Sequence, residues 1–89
     1  MTRRSGEETQ RMIRAIAVLL RNTTWKCGRV ERLVIKYLRD CLRKYGIPKT
    51  SIKDMLQYFK FHGKQKSEFF DALRRLEKRQ IIRIEGSTR

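Results

Sequence analysis

The sequence is poor in the residue types from which most catalytic and metal-binding sites are built. It has one histidine, His62, two cysteines, Cys27 and Cys41, one proline, Pro48, and 9 acidic residues against 23 basic ones. Two cysteines are too few for a disulfide framework, and with His62 they give three candidate ligands at spacings that match no metal site. Both are expected as free thiols. The alternative is a Cys27–Cys41 bridge of the kind found inside hyperthermophile cells, toward which the single asparagine and the 36% charged content lean. His62 has no recognisable acid, nucleophile or metal partner, and no glycine-rich phosphate loop is present. The expectation is therefore no enzyme, no metal and no cofactor. Long apolar runs are missing too: Ala15 to Leu20 is too short to span a bilayer and is bracketed by Arg14 and Arg21. No membrane partner is expected, and an intracellular location, cytoplasm or nucleoid, is.

What the sequence has in excess is positive charge. A net charge of +14 and a pI near 10.8 in 89 residues lie beyond the value of about 9 that marks a nucleic-acid-binding domain. Self-repulsion at this charge disfavours the compact state, so a polyanion that neutralises it should stabilise the fold. A solvated basic face, a ribosomal subunit or an acidic-membrane binder would show the same composition. The hydrophobic share of 39% is modest, but it is gathered into periodic stripes, as in a folded chain rather than a disordered one. The length allows one domain with a small core, so association between chains is plausible.

Met1 to Gly6 reads as a polar, basic tail whose Arg3 and Arg4 could sweep phosphates. Ser5 with Glu8 resembles a capping box, which predicts a first helix from near Gly6 to about Asn22. Apolar residues point in nearly every direction from Met12 to Leu20. Such a helix is either sunk in the core or dimerises through Met12, Ile13, Ile16, Leu19 and Leu20. Trp25 is expected to plug the junction that follows, with base stacking or a dimer contact as alternatives. The unit thus runs over residues 1–28, and a second, 29–89, begins with a scaffold helix from about Arg29 to Tyr45. Its apolar stripe is Val30, Leu33, Val34, Tyr37, Leu38, Cys41, Leu42 and Tyr45. Arg32, Lys36, Arg39 and Arg43 form a basic stripe on its outer side, a solvated face or a contact to DNA backbone. Gly46 ends this helix, and Ile47-Pro48-Lys49 can supply a short strand to pair with Ile81 to Ile84.

From Thr50 to Glu85 the pattern is helix, turn, longer helix, strand. Ile52, Met55, Leu56 and Phe59 share one helical face behind a Ser51/Asp54 cap. His62-Gly63 breaks the period. Phe69, Phe70, Leu73 and Leu76 make a second stripe, opposite Lys64, Ser67, Asp71, Arg74, Arg75 and Lys78. Alternation over Gln80 to Glu85, with Ile81, Ile82 and Ile84, predicts a strand.

This stretch, and the run Leu73 to Gly86 in particular, resembles the core of the winged-helix transcription regulators of the multiple-antibiotic-resistance-regulator and arsenic-repressor families. The resemblance covers roughly the last two-thirds of the chain. It implies a mainly α fold with a small β-element, a winged helix-turn-helix with an extra N-terminal helix, although the wing lacks its returning strand. It also implies a homodimeric regulator that lays a recognition helix, about 64–79, in the major groove of double-stranded DNA. Lys64, Gln65, Lys66, Ser67, Glu68 and Asp71 are then the base-facing candidates. Arg74, Arg75 and Lys78 are phosphate clamps, with Thr50, Ser51 and Lys53 as lesser partners, and Arg83 and Arg89 could enter an adjacent minor groove. A winged-helix module that docks on another protein, and a sequence-neutral architectural or RNA-associated protein, are the alternatives.

Overall fold

The computed structural model describes residues 11–86. Residues 11–13 are helical, and six elements follow: β1 (Ile16–Leu19), α1 (Arg29–Tyr45), β2 (Lys49–Ser51), α2 (Ile52–Phe59), α3 (Lys64–Lys78) and β3 (Ile82–Glu85). The fold is mostly helical, with one three-stranded antiparallel sheet in the order β2-β1-β3.

The three helices after residue 28 form where their periodicity places them. Glu31 in the first turn of α1 accepts the Gly28 N–H with its own carboxylate, and Gly46, left-handed at φ 79°, closes the far end with a 2.8 Å bond to the Leu42 carbonyl. The Ser51 hydroxyl accepts the Asp54 N–H at 3.0 Å and starts α2. Between α2 and α3 the chain turns through Lys60, in the left-handed region, and Gly63 at φ 62°, ψ −132°. A side chain strains the second conformation, so glycine is needed there.

The N-terminal segment departs from expectation. Ile16–Leu19 is a strand rather than part of a helix reaching Asn22, and the proposed helix start near Gly6 lies outside the described residues. The physical reason is the partnership available to it. Ile16, Ala17 and Val18 pair with Ser51, Thr50 and Lys49 on one side; Ile16 to Leu19 pair with Glu85 to Ile82 on the other. Both backbone edges of β1 are satisfied, which a short apolar run with two β-branched residues reaches more readily in a sheet centre than in an isolated helix. Burial follows a period of two: Ala17 and Leu19 are buried, while Ile16 and Val18 are on the other face. The strand after α1 also shifts, to Lys49–Ser51, and pairs with β1 instead of β3.

The helices cover the inner face of this sheet. Ala17, Leu19, Ile82 and Ile81 meet Val34, Ile35 and Leu38 of α1, Ile52 and Met55 of α2, and Phe69, Phe70, Leu73 and Leu76 of α3 in a single apolar cluster. Met12 and Ala15 join it from the segment before β1. Of the five expected dimer residues, Met12 and Leu19 are therefore spent on the core, Ile13 packs against it, and Ile16 and Leu20 keep exposure. Trp25 does not plug a junction. Its carbonyl accepts Arg79 Nη2 at 2.7 Å, and the indole stands outward, 70% exposed.

Candidate nucleic-acid interface

The apolar stripe of α3 is buried, so its opposite side is fixed outward. Lys64, Gln65, Ser67, Glu68, Asp71, Arg75 and Lys78 are exposed, and Lys66 and Arg74 are half-buried at the flanks. Of the six residues expected to reach base edges, Lys64, Ser67, Glu68 and Asp71 share one outward ridge, Gln65 is exposed at its side, and Lys66 is half-buried and turned toward the packed side. Lys53 is exposed on the first turn of the preceding helix.

The cations of this surface differ in what already holds them. Arg74 forms a 2.6 Å ion pair with Asp71, and its other guanidinium nitrogen approaches the Met12 sulfur at 3.9 Å. Arg75 donates to Glu31 at 2.9 Å, joining α3 to the start of α1. Arg79 is bonded to the carbonyls of Trp25 and Lys26. In contrast, the side chains of Lys53, Lys64, Lys66 and Lys78 make no hydrogen bond or ion pair with another described residue. The lysines are the cations with the greatest freedom to meet a ligand; Arg75 carries a structural duty as well.

Glu31 is the one buried acidic side chain among the described residues. Burial pushes its carboxyl up, but the Gly28 N–H, the Arg75 hydrogen bond and charge, and the Arg79 charge outweigh burial and hold it below the usual carboxylate range. It is therefore ionised at neutral pH and keeps the guanidinium of Arg75 at the edge of the α3 ridge.

Two of the lesser partners expected from sequence, Ser51 and Thr50, also have places in the fold. The Ser51 hydroxyl caps α2, and Thr50 is half-buried in β2, opposite Ala17. Arg83 is exposed on the outer face of the sheet and pairs with Glu85 at 2.7 Å. Arg89 lies outside the described residues, as do Arg3 and Arg4.

Two arginines were missed from sequence. Because Ile16 is opposite Glu85, the exposed Arg11 and Arg14 are brought to the Gly86 end of β3, beside α3 where Met12 meets Arg74. Only the strand pairing reveals this, since the two arginines and β3 are far apart in the chain.

The basic stripe of α1 is present as expected. Arg32, Lys36, Arg39 and Arg43 are exposed along about 16 Å of helix. Only Arg43 has a partner among the described residues, Asp40 at 3.4 Å.

Cys27 and Cys41 are both free and buried. They lie at opposite ends of the span from the α1 start to its last turns, about 20 Å by helical rise, too far for a bridge. Burial and the neighbouring Asp40 push the Cys41 thiol up, so it is protonated and unreactive at neutral pH. Among the described residues no cluster of His, Cys, Asp and Glu could hold a metal ion, and no helix is long and apolar enough to cross a membrane.

No protein-family model, curated protein or solved structure matches this chain.

Proposed function

We propose that the chain is a winged-helix protein that binds duplex DNA by laying α3 in the major groove, in the manner of a transcription regulator. The observation that carries this reading is the outward face of α3, second of a consecutive pair of helices joined by a tight turn, which bears hydrogen-bonding side chains and lysines without a partner among the described residues, on a molecule of net charge +14. The order α1, β2, α2, α3, β3 supports the winged-helix assignment. Its third strand comes from β1, on the N-terminal side, instead of from a segment after β3. In this reading β1 stands between β2 and β3, in the place where a wing strand would pair.

In this reading Gln65 can pair with adenine and Lys64 or Lys66 with guanine, while Glu68 can accept from the amino group of cytosine. Lys78 and Lys53 would neutralise phosphates on either side, and Arg11 and Arg14 would reach the flanking backbone from the sheet edge. In this reading a homodimer would use Ile16 and Leu20, the expected dimer residues that retain exposure.

Fluorescence anisotropy on a random-sequence duplex at about 50 mM and about 200 mM salt tests the proposal, because affinity should fall steeply as condensed counterions are released. Lys64→Ala/Lys78→Ala should weaken binding and reduce the salt slope by about 2. Arg32→Ala/Arg39→Ala on α1 should leave both nearly unchanged. The reverse pattern, or binding indifferent to salt, would contradict the proposal.

A further inference from the structure

The last turns of α1 and the last turns of α2 leave an aromatic groove that α3 does not use. Tyr37, Tyr45 and Tyr58 line it with Asp40, Cys41 and Lys44, over a volume of about 170 Å³. A second depression of about 170 Å³ shares Tyr37, Asp40 and Tyr58 and adds Lys36 to the rim. Tyr45 is 73% exposed and Tyr58 67%, and Leu42, near Tyr45 at the end of α1, is exposed as well. The Tyr58 ring is held in place: it meets Tyr37 edge-on at 5.0 Å and Phe59 edge-on at 5.1 Å. Further ring contacts run from Phe59 through Phe61 to the buried Phe69, so the exposed ring stands on a rigid base.

We propose that this groove binds an unpaired strand of DNA, with successive bases stacking on Tyr58 and Tyr45 and the phosphates held by Lys36 and Lys44. Aromatic faces flanked by cations are the combination that single strands use, because every base has a π-face and every linkage a negative charge. Charge complementarity selects this occupant over a second copy of the chain. Another copy would bring its own Lys36, Arg43 and Lys44 against these, at +14 per molecule, whereas a polyanion relieves that repulsion. Asp40 lies on the groove wall and repels phosphate, so bases enter the groove and the backbone follows the lysine rim. The choice of DNA over RNA rests on the reading of α3 given above; the groove itself is a separate surface.

Binding of a labelled oligo-thymidylate of about 12 nucleotides to the full chain tests the proposal, with the labelled duplex measured in parallel. Tyr58→Leu and Tyr45→Leu should each weaken oligo-thymidylate binding by about fivefold or more and leave duplex affinity within about twofold, since neither residue touches the α3 ridge. Lys36→Gln/Lys44→Gln should flatten the salt dependence of single-strand binding alone; these exposed lysines keep the test open if a tyrosine variant loses its fold. Unchanged oligo-thymidylate affinity in the tyrosine and lysine variants would overturn the proposal, as would an oligo-uridylate that binds more tightly than the DNA strand. So would sedimentation showing that Tyr58→Leu converts a dimer to a monomer, which would assign the groove to a second copy. Loss of duplex binding in Lys64→Ala/Lys78→Ala with single-strand binding intact would separate the two surfaces.

Discussion

Glu31 links three parts of the molecule through one carboxylate. It accepts the Gly28 N–H at the start of α1 and pairs with Arg75 on α3, so replacing it loosens the contact that sets how α3 sits against the scaffold. Glu31→Gln keeps an acceptor but loses the charge, and should cost about 1 kcal/mol at neutral pH in a denaturant melt. The pH dependence has a definite sign. The folded-state pKa is depressed, so the stabilisation is fully present above the ordinary carboxylate value and is lost as pH falls through that value toward the folded one. Wild type and Glu31→Gln should therefore converge in stability on acidification; a difference constant with pH would mean that the charge plays no part. Gly63 is the second residue with a large expected effect. Its positive φ and extended ψ exclude a side chain on backbone grounds although the space around it is open, so Gly63→Ala should destabilise by about 1–3 kcal/mol. A melt unchanged by this substitution would show that the turn can relax without penalty. Neither the Glu31–Arg75 pair nor the outward Trp25 was legible in the sequence. The pair joins residues 44 apart, and a loop tryptophan looks buried by average behaviour until its carbonyl is found anchored by Arg79.

At the scale of elements, α1, α2, α3 and β3 were legible almost to the residue, because amphipathic period, caps and glycine stops all agree there. β1 was not. A short apolar run has no distinguishing period, and its strand identity depends on partners at Lys49–Ser51 and Ile82–Glu85 that no local window contains. The consequence is mechanical. With β1 at the sheet centre, β2 and β3 have no contact with each other in the sheet order, and both depend on it. A chain beginning at Asn22 should therefore lose cooperative unfolding and most of its near-ultraviolet circular dichroism. If that fragment melted as sharply as the full chain, β1 would be an accessory to a unit that folds without it. The last turn of α1 supplies a second lesson. Leu42 and Tyr45 continue the apolar stripe in sequence yet are exposed, because the helix runs past the elements that cover it, and the uncovered end forms one wall of the tyrosine groove.

For the whole molecule, the charge and its two main faces were legible, and the pairing of the cations was not. The sequence predicted the α3 ridge and the α1 stripe as separate basic faces, and both are exposed. Pairing within the fold then divides them: Arg74 and Arg75 on α3 and Arg79 just after it are engaged with Asp71, Glu31 and the Trp25 loop, while the lysines of α3 and most of the α1 stripe have no partner among the described residues. Sequence position alone would have chosen Arg74 and Arg75 as the residues to mutate. Substituting Arg75 would confound loss of a DNA contact with release of buried Glu31, so Lys64 and Lys78 make the cleaner probes.

The most direct test is a two-dimensional amide NMR titration of the full chain with a short duplex. Binding through α3 should shift the amides of Lys64 to Asp71 most, with smaller changes at Lys53, Lys78, Arg11 and Arg14, and leave Arg32 to Arg43 near their free positions. Shifts concentrated along Arg32, Lys36, Arg39 and Arg43, with α3 unmoved, would contradict the assignment of α3 and make the scaffold helix the duplex-binding face.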